Sequence, residues 1–292
     1  MGRRGAGEGS IFRDPATGLY AGSQDADERY YELDAAGRTE HEPPYVDRRV
    51  YSNWNAMLAV AYLEADARLD RPKLREEAAR LLDRLFRDGF TPAGGMLHAE
   101  GVAGQLGDQV WALFAAVRAF QSGLGESWLT AAEQLATHLE TAYGDAELGG
   151  YFDHASGEAL GRLEDRLKPI GENSVAALAL FELGTLIGGD HVMHGRRALE
   201  SVAALPARYG LMAAGWARAY DRYLGEPIKV TTGSADLARA ALALKPYAVI
   251  EQSSDQRAVV CLGTLCLAPV SDLEGLRMAL TEQPLLRTID LP

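Results

Sequence analysis

Asp108 and Glu172 each open a strongly apolar stretch, in Gly107-Asp108-Gln109 before VWALFAAVRAF and in Gly171-Glu172-Asn173-Ser174 before VAALALFELG. A third polar cluster, Ser52-Asn53-Trp54-Asn55, precedes AMLAVAYLEA. Two carboxylates at corresponding helix starts can serve as general acid and general base, and glycoside hydrolysis needs such a pair roughly 5–10 Å apart. An indole ring among amides suits a sugar, because the ring stacks on the apolar sugar face while the amides bond hydroxyls. The expected site therefore has Asp108 and Glu172 as its catalytic pair. Asp47, Asn53, Trp54, Asn55, Gln109 and Asn173 would bind a sugar-like small molecule, and Asp25 and Asp27 could enter from the N-terminal loop. Helix capping accounts for one polar residue per helix, but not for Trp54 beside Asn55 or Glu172 beside Asn173.

The elements that must position these residues repeat. The three polar starts lie about 55 and then about 65 residues apart, and a more charged helix follows each apolar one, the signature of stacked helical pairs. Helices are predicted over 52–69 and 72–88, 106–121 and 126–143, and 172–187 and 191–204, with 210–223 opening a fourth pair. The first helix of each pair is apolar on most faces, as a doubly buried helix should be, and the second carries Arg and Glu on one face. In such an array the polar starts converge at one end, where backbone N–H groups and positive helix-dipole ends meet a ligand. Residues 1–50 are rich in Gly, Pro and Asp, and the alternation at Tyr30–Leu33 predicts a hairpin or ordered loop. A second hairpin is expected around Tyr151-Phe152. After Gly225 the pattern changes: PIKVTT, YAVIEQ, AVVCL and LCLAPV read as strands, SADLARAALALK and SDLEGLRMAL as helices, a small α/β appendage. The expected division is 1–50, an N-terminal loop or hairpin segment; 51–225, the helical hairpins; and 226–292, the α/β piece.

Bulk properties narrow the partners. The 292 residues carry a formal net charge of −12 with a pI near 5.0, which disfavours nucleic acid and anionic membranes. No apolar run approaches the ~20 residues of a membrane span, and the N-terminal MGRRGAGEGSIFRD has no apolar signal core, so a cytoplasmic protein is expected. No metal or other cofactor is expected. His191 and His194 share a helix face, but a solvated helix end explains them better than a metal site. No histidine falls at an inner-helix start, which speaks against simple epimerase chemistry with a histidine base on each face of a sugar carbon. The acidic SQDADE lacks the Gly and bidentate Glu of a calcium loop and reads as a solvated turn. Cys261 and Cys266 flank Leu-Gly-Thr-Leu, so a two-residue turn at Gly263-Thr264 makes them cross-strand neighbours. They are the candidate redox pair, expected to be reduced at rest in a reducing compartment.

Four strings occur in a telling order: SQDADERYY, then PYVDRRVYSNWNAMLAVAYLEA, then KPIGENSVAALAL, then VVCLGTLCLAPVSDLEGL. Together, over about residues 11–285, they resemble the spermatogenesis-associated protein 20-like family. That resemblance implies an N-terminal thioredoxin-like domain joined to an (α/α)6 toroid of the six-hairpin glycosidase type, similar to that of N-acylglucosamine 2-epimerase. No Cys-x-x-Cys occurs, and only three helical pairs and an opening fourth are present. The expected chain is thus the C-terminal part of such a protein, without the thioredoxin-like domain: a mainly α, partial (α/α)6 toroid with a small C-terminal α/β appendage. The resemblance also implies a carbohydrate-related function, hydrolase or isomerase. One alternative is a non-catalytic binding or scaffold protein whose open toroid is covered by self-association or by a partner chain. Another, a redox accessory using Cys261 and Cys266, is weakened by the missing Cys-x-x-Cys.

Overall fold

The computed structural model describes residues 11–157 and 165–281. An N-terminal segment pairs β1 (Gln24–Asp25) antiparallel with β2 (Tyr45–Val46) around two short helices, α1 (Glu28–Glu32) and α2 (Ala35–Glu40). The alternation at Tyr30–Leu33 is thus helical in its first residues, not a strand. Asp27 caps α1 by accepting the Tyr30 N–H, and Arg38 of α2 donates to the Tyr30 and Tyr31 carbonyls. These local bonds satisfy the backbone better than an isolated two-stranded ribbon would.

Three helical hairpins follow: α3 (Ser52–Leu69) with α4 (Pro72–Gly89), α5 (Leu106–Gln121) with α6 (Ser127–His138), and α7 (Ile170–Ile187) with α8 (His191–Ser201). A wider turn at Leu139–Tyr143 extends α6. The first hairpin turns tightly because Asp70 takes the left-handed conformation at φ 53° and Pro72 then starts α4 with φ preset. After α9 (Pro206–Tyr209) and a 3-10 turn, α10 (Ala214–Leu224) lies against α7. The helices α3, α5, α7 and α10 form an inner row, each packed on the next. Helices α5 and α7 are buried almost all round, whereas α4 buries one stripe, Ala78, Leu81, Leu82 and Leu85, at helical spacing. Ile170–Ile187 is also long and apolar enough to cross a membrane, contrary to the reading that no run qualifies, and 61% of it is buried within the protein.

The three leading inner helices share more than their apolar character. The fourth residue of each is an amide (Asn55, Gln109, Asn173) and the thirteenth is charged (Glu64, Arg118, Glu182). Arg118 bridges its neighbours, 2.9 Å from Glu64 and 2.5 Å from Glu182. Arg222 of α10 is buried near them and donates to Thr185.

The C-terminal residues build a four-stranded sheet in the order β4–β3–β5–β6, from β3 (Ile228–Thr232), β4 (Val249–Gln252), β5 (Val259–Leu262) and β6 (Leu265–Cys266). The parallel pair β3–β4 is joined through α11 (Ala235–Leu244), and α12 (Leu273–Thr281) packs on α11. This unit has its own apolar core, with Val230, Leu237, Ile250, Val260 and Leu276. It docks on the C-terminal ends of the inner helices. There the Ile250 N–H donates to Gln121 Oε1 at 3.0 Å, and Arg68 reaches the carbonyls of Leu242 and Pro246. Gly263 has φ 57°, as a primed hairpin turn requires, and Cys261 faces Cys266 in register. Their Cα atoms are 3.9 Å apart and the pair is a disulfide, so the expectation of two reduced thiols gives way to a bonded pair. The close facing of two strands joined by only two residues accounts for the contact. The Tyr151-Phe152 hairpin is a minimal one, a bridge between Gly144 and Tyr151 closed by the turn from Asp145 to Gly150.

Candidate functional site

The amides at the fourth helical position are clamps on backbone. Asn55 accepts the Tyr20 N–H at 2.8 Å and returns a bond to the Tyr20 carbonyl at 2.9 Å. Gln109 does the same to Met96, at 2.7 Å both ways, and Asn173 to Tyr151, at 2.8 and 2.9 Å. Each also donates to the carbonyl four residues earlier, at Tyr51, Gln105 and Pro169. All three are at most 1% exposed. The expected ligand-binding role of Asn55, Gln109 and Asn173 is therefore corrected. Their hydrogen-bonding capacity is spent holding the chain segment that leads into each inner helix, since a buried backbone group without a partner is costly.

Asp108 is corrected in a similar way. Its side chain is fully buried, and it accepts from the Gln105 N–H at 2.8 Å and the Asn53 N–H at 3.2 Å. The remaining partner is His98, whose Nδ1 lies 3.0 Å from Oδ2 and 3.2 Å from Oδ1. A carboxylate so enclosed does not reach a substrate. Burial pushes its carboxyl above the usual range, and the Gln105 N–H and His98 pull it back. His98 is the residue of this cluster that sequence reasoning did not select. It sits in the loop after α4, and the Ser52 N–H donates to its carbonyl at 2.9 Å, which pins the loop across the start of α3. Nδ1 faces the carboxylate of Asp108, which favours the tautomer with its proton on Nδ1 and leaves Nε2 as the other ring nitrogen. Loop position hid it; the only signal was its place ten residues before an acidic helix start.

Around this pair lie the other expected groups. Tyr51 packs between His98 and Trp54, with ring centroids 5.1 Å from each. Trp54 remains 46% exposed. The Tyr51 hydroxyl donates to Asp47 at 2.7 Å; the Arg49 N–H and that hydroxyl hold the Asp47 carboxyl below its usual range. Asn53 Oδ1 accepts the Trp54 N–H, and the amide nitrogen of Asn53 turns toward Gly107. A Cβ on Gly107 would stand 3.5 Å from that nitrogen and 4.0 Å from Glu172 Cγ, ordinary contact distances that put Asn53 and Glu172 on either side of the start of α5. Glu172 is half-buried and makes no hydrogen bond or ion pair among the described residues. The starts of α3, α5 and α7 thus bring Trp54, Tyr51, Asn53, His98, Asp108 and Glu172 to one end of the array. Asp25 and Asp27 stay apart, the first accepting the Tyr31 hydroxyl and the second capping α1. His194, read as a solvated helix end, pairs instead with Glu140, which also takes the Tyr151 hydroxyl.

A row of helical hairpins, inner starts converging on one polar end, invites comparison with known folds. The chain is similar to the cellobiose 2-epimerase of Bacillus thermoamylovorans B4167, at 15% identity and TM-score 0.50 over 65% of this chain and 50% of that one. The fold is a partial (α/α)6 toroid. The cellobiose 2-epimerase of Spirochaeta thermophila DSM 6192 is also similar, at 17% identity and TM-score 0.48 over 68% and 49% of the two chains. So is an inactive α-1,6-mannanase variant from Salegentibacter sp. HEL1_6, at 17% identity and TM-score 0.44 over 53% and 46%. The chain spans about half the length of these structures. No protein-family model matches it, and no curated relative is found.

Proposed function

We propose that the chain acts on a carbohydrate by proton transfer, an isomerisation at a sugar carbon, at the N-terminal end of the inner helices. The observation that carries this reading is the His98–Asp108 pair. A buried carboxylate on Nδ1 orients the ring, leaves Nε2 as the nitrogen free to exchange a proton, and places a negative charge beside an imidazolium formed when a proton is taken up. Trp54 supplies an exposed face for the sugar ring, Asn53 a donor to hydroxyls, and Glu172 a second titratable group on the same opening. Hydrolysis is less well supported, because Asp108 is closed to substrate and Glu172 would act without its expected carboxylate partner. The sugar epimerases among the similar structures agree with this choice. The resemblance to the spermatogenesis-associated protein 20-like family, the division at about residues 50 and 225, and a cytoplasmic location belong to the same proposal. They rest on the order of the four sequence strings and on composition.

The test is proton exchange. Reducing sugars, cellobiose and mannose among them, are incubated with the protein in D2O and followed by NMR. Deuterium entering at the carbon next to the carbonyl, lost in His98→Asn and retained in Cys261→Ser, is the expected result. No exchange with any aldose or ketose would overturn the reading. A second reading, assembly of two copies over an open flank, is favoured by Leu211 and Met212, which are 96% and 84% exposed. Sedimentation showing the same monomer for the parent and for Leu211→Ser would dismiss it.

A further inference from the structure

At the opposite end of the inner helices, a cavity of about 250 Å³ lies between the hairpins and the C-terminal α/β unit. One wall is the last turns of α3 and α5, and the other is α11 and β4. Its charges balance: Glu64, Asp66 and Asp70 stand against Arg75, Arg118 and Arg239. Two of these pairs close the rim, Arg239 with Asp70 at 2.9 Å and Arg75 with Asp66 at 3.7 Å. The deeper pair, Arg118 with Glu64, has its ions 2.9 Å apart but leaves hydrogen-bonding capacity over. Arg118 Nε is a buried donor without a hydrogen-bond partner among the described residues, and the buried Glu64 Oε1 has only the 2.9 Å ion contact with Arg118 Nη1. Buried groups of this kind are few in native proteins and call for an explanation.

We propose that this cavity binds a small neutral polyol of about monosaccharide size. A hydroxyl can accept from Arg118 Nε and donate to Glu64 Oε1 through the same oxygen, taking the place a water would otherwise fill. With three carboxylates and three guanidiniums the wall offers no net attraction to an ion of either sign, so nothing repays the desolvation of a charged ligand. Leu63, Ala67, Ala238 and Leu242 supply apolar surface for the C–H face of the ligand. The site is separate from the His98 end, and it joins two units whose cores are distinct, so its ligand would tie the α/β unit to the hairpins.

The experiment is isothermal titration of the full chain with myo-inositol and D-glucose, beside glycine betaine as zwitterion and glucose 6-phosphate as anion. Both neutral polyols should bind saturably, while the zwitterion and the anion should not. Ala238→Met fills the cavity from α11. Overpacking should weaken polyol binding at least about tenfold. Trp54→Ala and His98→Asn, at the far end, should leave myo-inositol binding unchanged, whereas D-glucose also suits the sugar site proposed there. Ser122→Leu, on the other wall, is the second filling variant should the first fold poorly, as judged by circular dichroism. Myo-inositol binding lost in Trp54→Ala but kept in the filled variants would overturn the proposal. So would binding of the charged or zwitterionic probes alone, or no heat and no rise in Tm with either polyol, which would mark the space as a water-filled seam.

Discussion

Replacing Asn173 decides whether the shared amide position serves the fold or a ligand. Its side chain is the sole partner of the buried Tyr151 N–H and carbonyl among the described residues, while Pro169 O also accepts the Asn173 N–H. Asn173→Ala therefore leaves two backbone groups unpaired, at about 1–3 kcal/mol each. The expected cost is about 4 kcal/mol, roughly 7 °C in Tm for a chain of this size, and a large share of a typical total stability of about 5–15 kcal/mol. Asn173→Asp is the sharper probe. The introduced carboxylate still accepts from Tyr151 N–H, but its second oxygen faces the Tyr151 and Pro169 carbonyls. Only its protonated form can donate there, so its folded-state pKa lies above the unfolded value of about 3.9. The variant should approach the parent below that pH and lose stability as pH rises, until the folded-state carboxyl has ionised. Urea midpoints of variant and parent, compared at several pH values, measure this. A cost below about 0.5 kcal/mol for the alanine variant, or a difference flat in pH, would refute the clamp and reopen Asn173 as a ligand contact.

Three further outcomes follow from the same geometry. A Cβ at Gly104 would lie 1.9 Å from Met96 O and 2.3 Å from Gln109 Nε2, so Gly104→Ala should cost at least about 3 kcal/mol; a parent-like calorimetric Tm would contradict it. Reducing the Cys261–Cys266 disulfide opens a loop with a sequence separation of only 5, worth about 2 kcal/mol in chain entropy. The reduced protein should stay folded, and global unfolding on adding a dithiol would count against this. Lys168, 2.7 Å from Asp145, and the Leu148 N–H lower the Asp145 pKa from 3.8 to about 2. The turn's support is thus complete above about pH 4 and fades as pH falls toward 2, seen as faster amide exchange at Glu147 and Leu148. Unchanged protection across that window would show that the ion pair does not hold the turn.

The array itself was legible because local sequence specifies it. Apolar residues at helical spacing, Pro72 at a helix start and the repeated polar starts are all short-range signals. The meaning of those starts was not legible. Asn55, Gln109 and Asn173 bond backbone at Tyr20, Met96 and Tyr151, segments that no periodicity places beside them, so amides that fasten loops looked like amides awaiting a sugar. His98 escaped for the opposite reason. It lies in no helix, and one backbone bond from Ser52 carries it to Asp108. The exposure of Trp54 and half-burial of Glu172 were legible because a residue at a helix start needs no distant partner to be placed. The cavity beneath the α/β unit could not be read at all, since it exists only where two separately folded surfaces meet.

The charges at the thirteenth position give the row of helices a polarity of order. Reading from α3 to α7 the signs run negative, positive, negative, with Arg118 touching both neighbours. Hairpins of such similar shape could otherwise trade places, because an apolar face of alanine and leucine fits almost any other. Exchanging the α5 hairpin with either neighbour would set the buried Glu182 beside the half-buried Glu64 and strand an arginine at the end. The alternation thus acts as an address, telling each duplicated hairpin which neighbour is its own and penalising a shuffled assembly during folding.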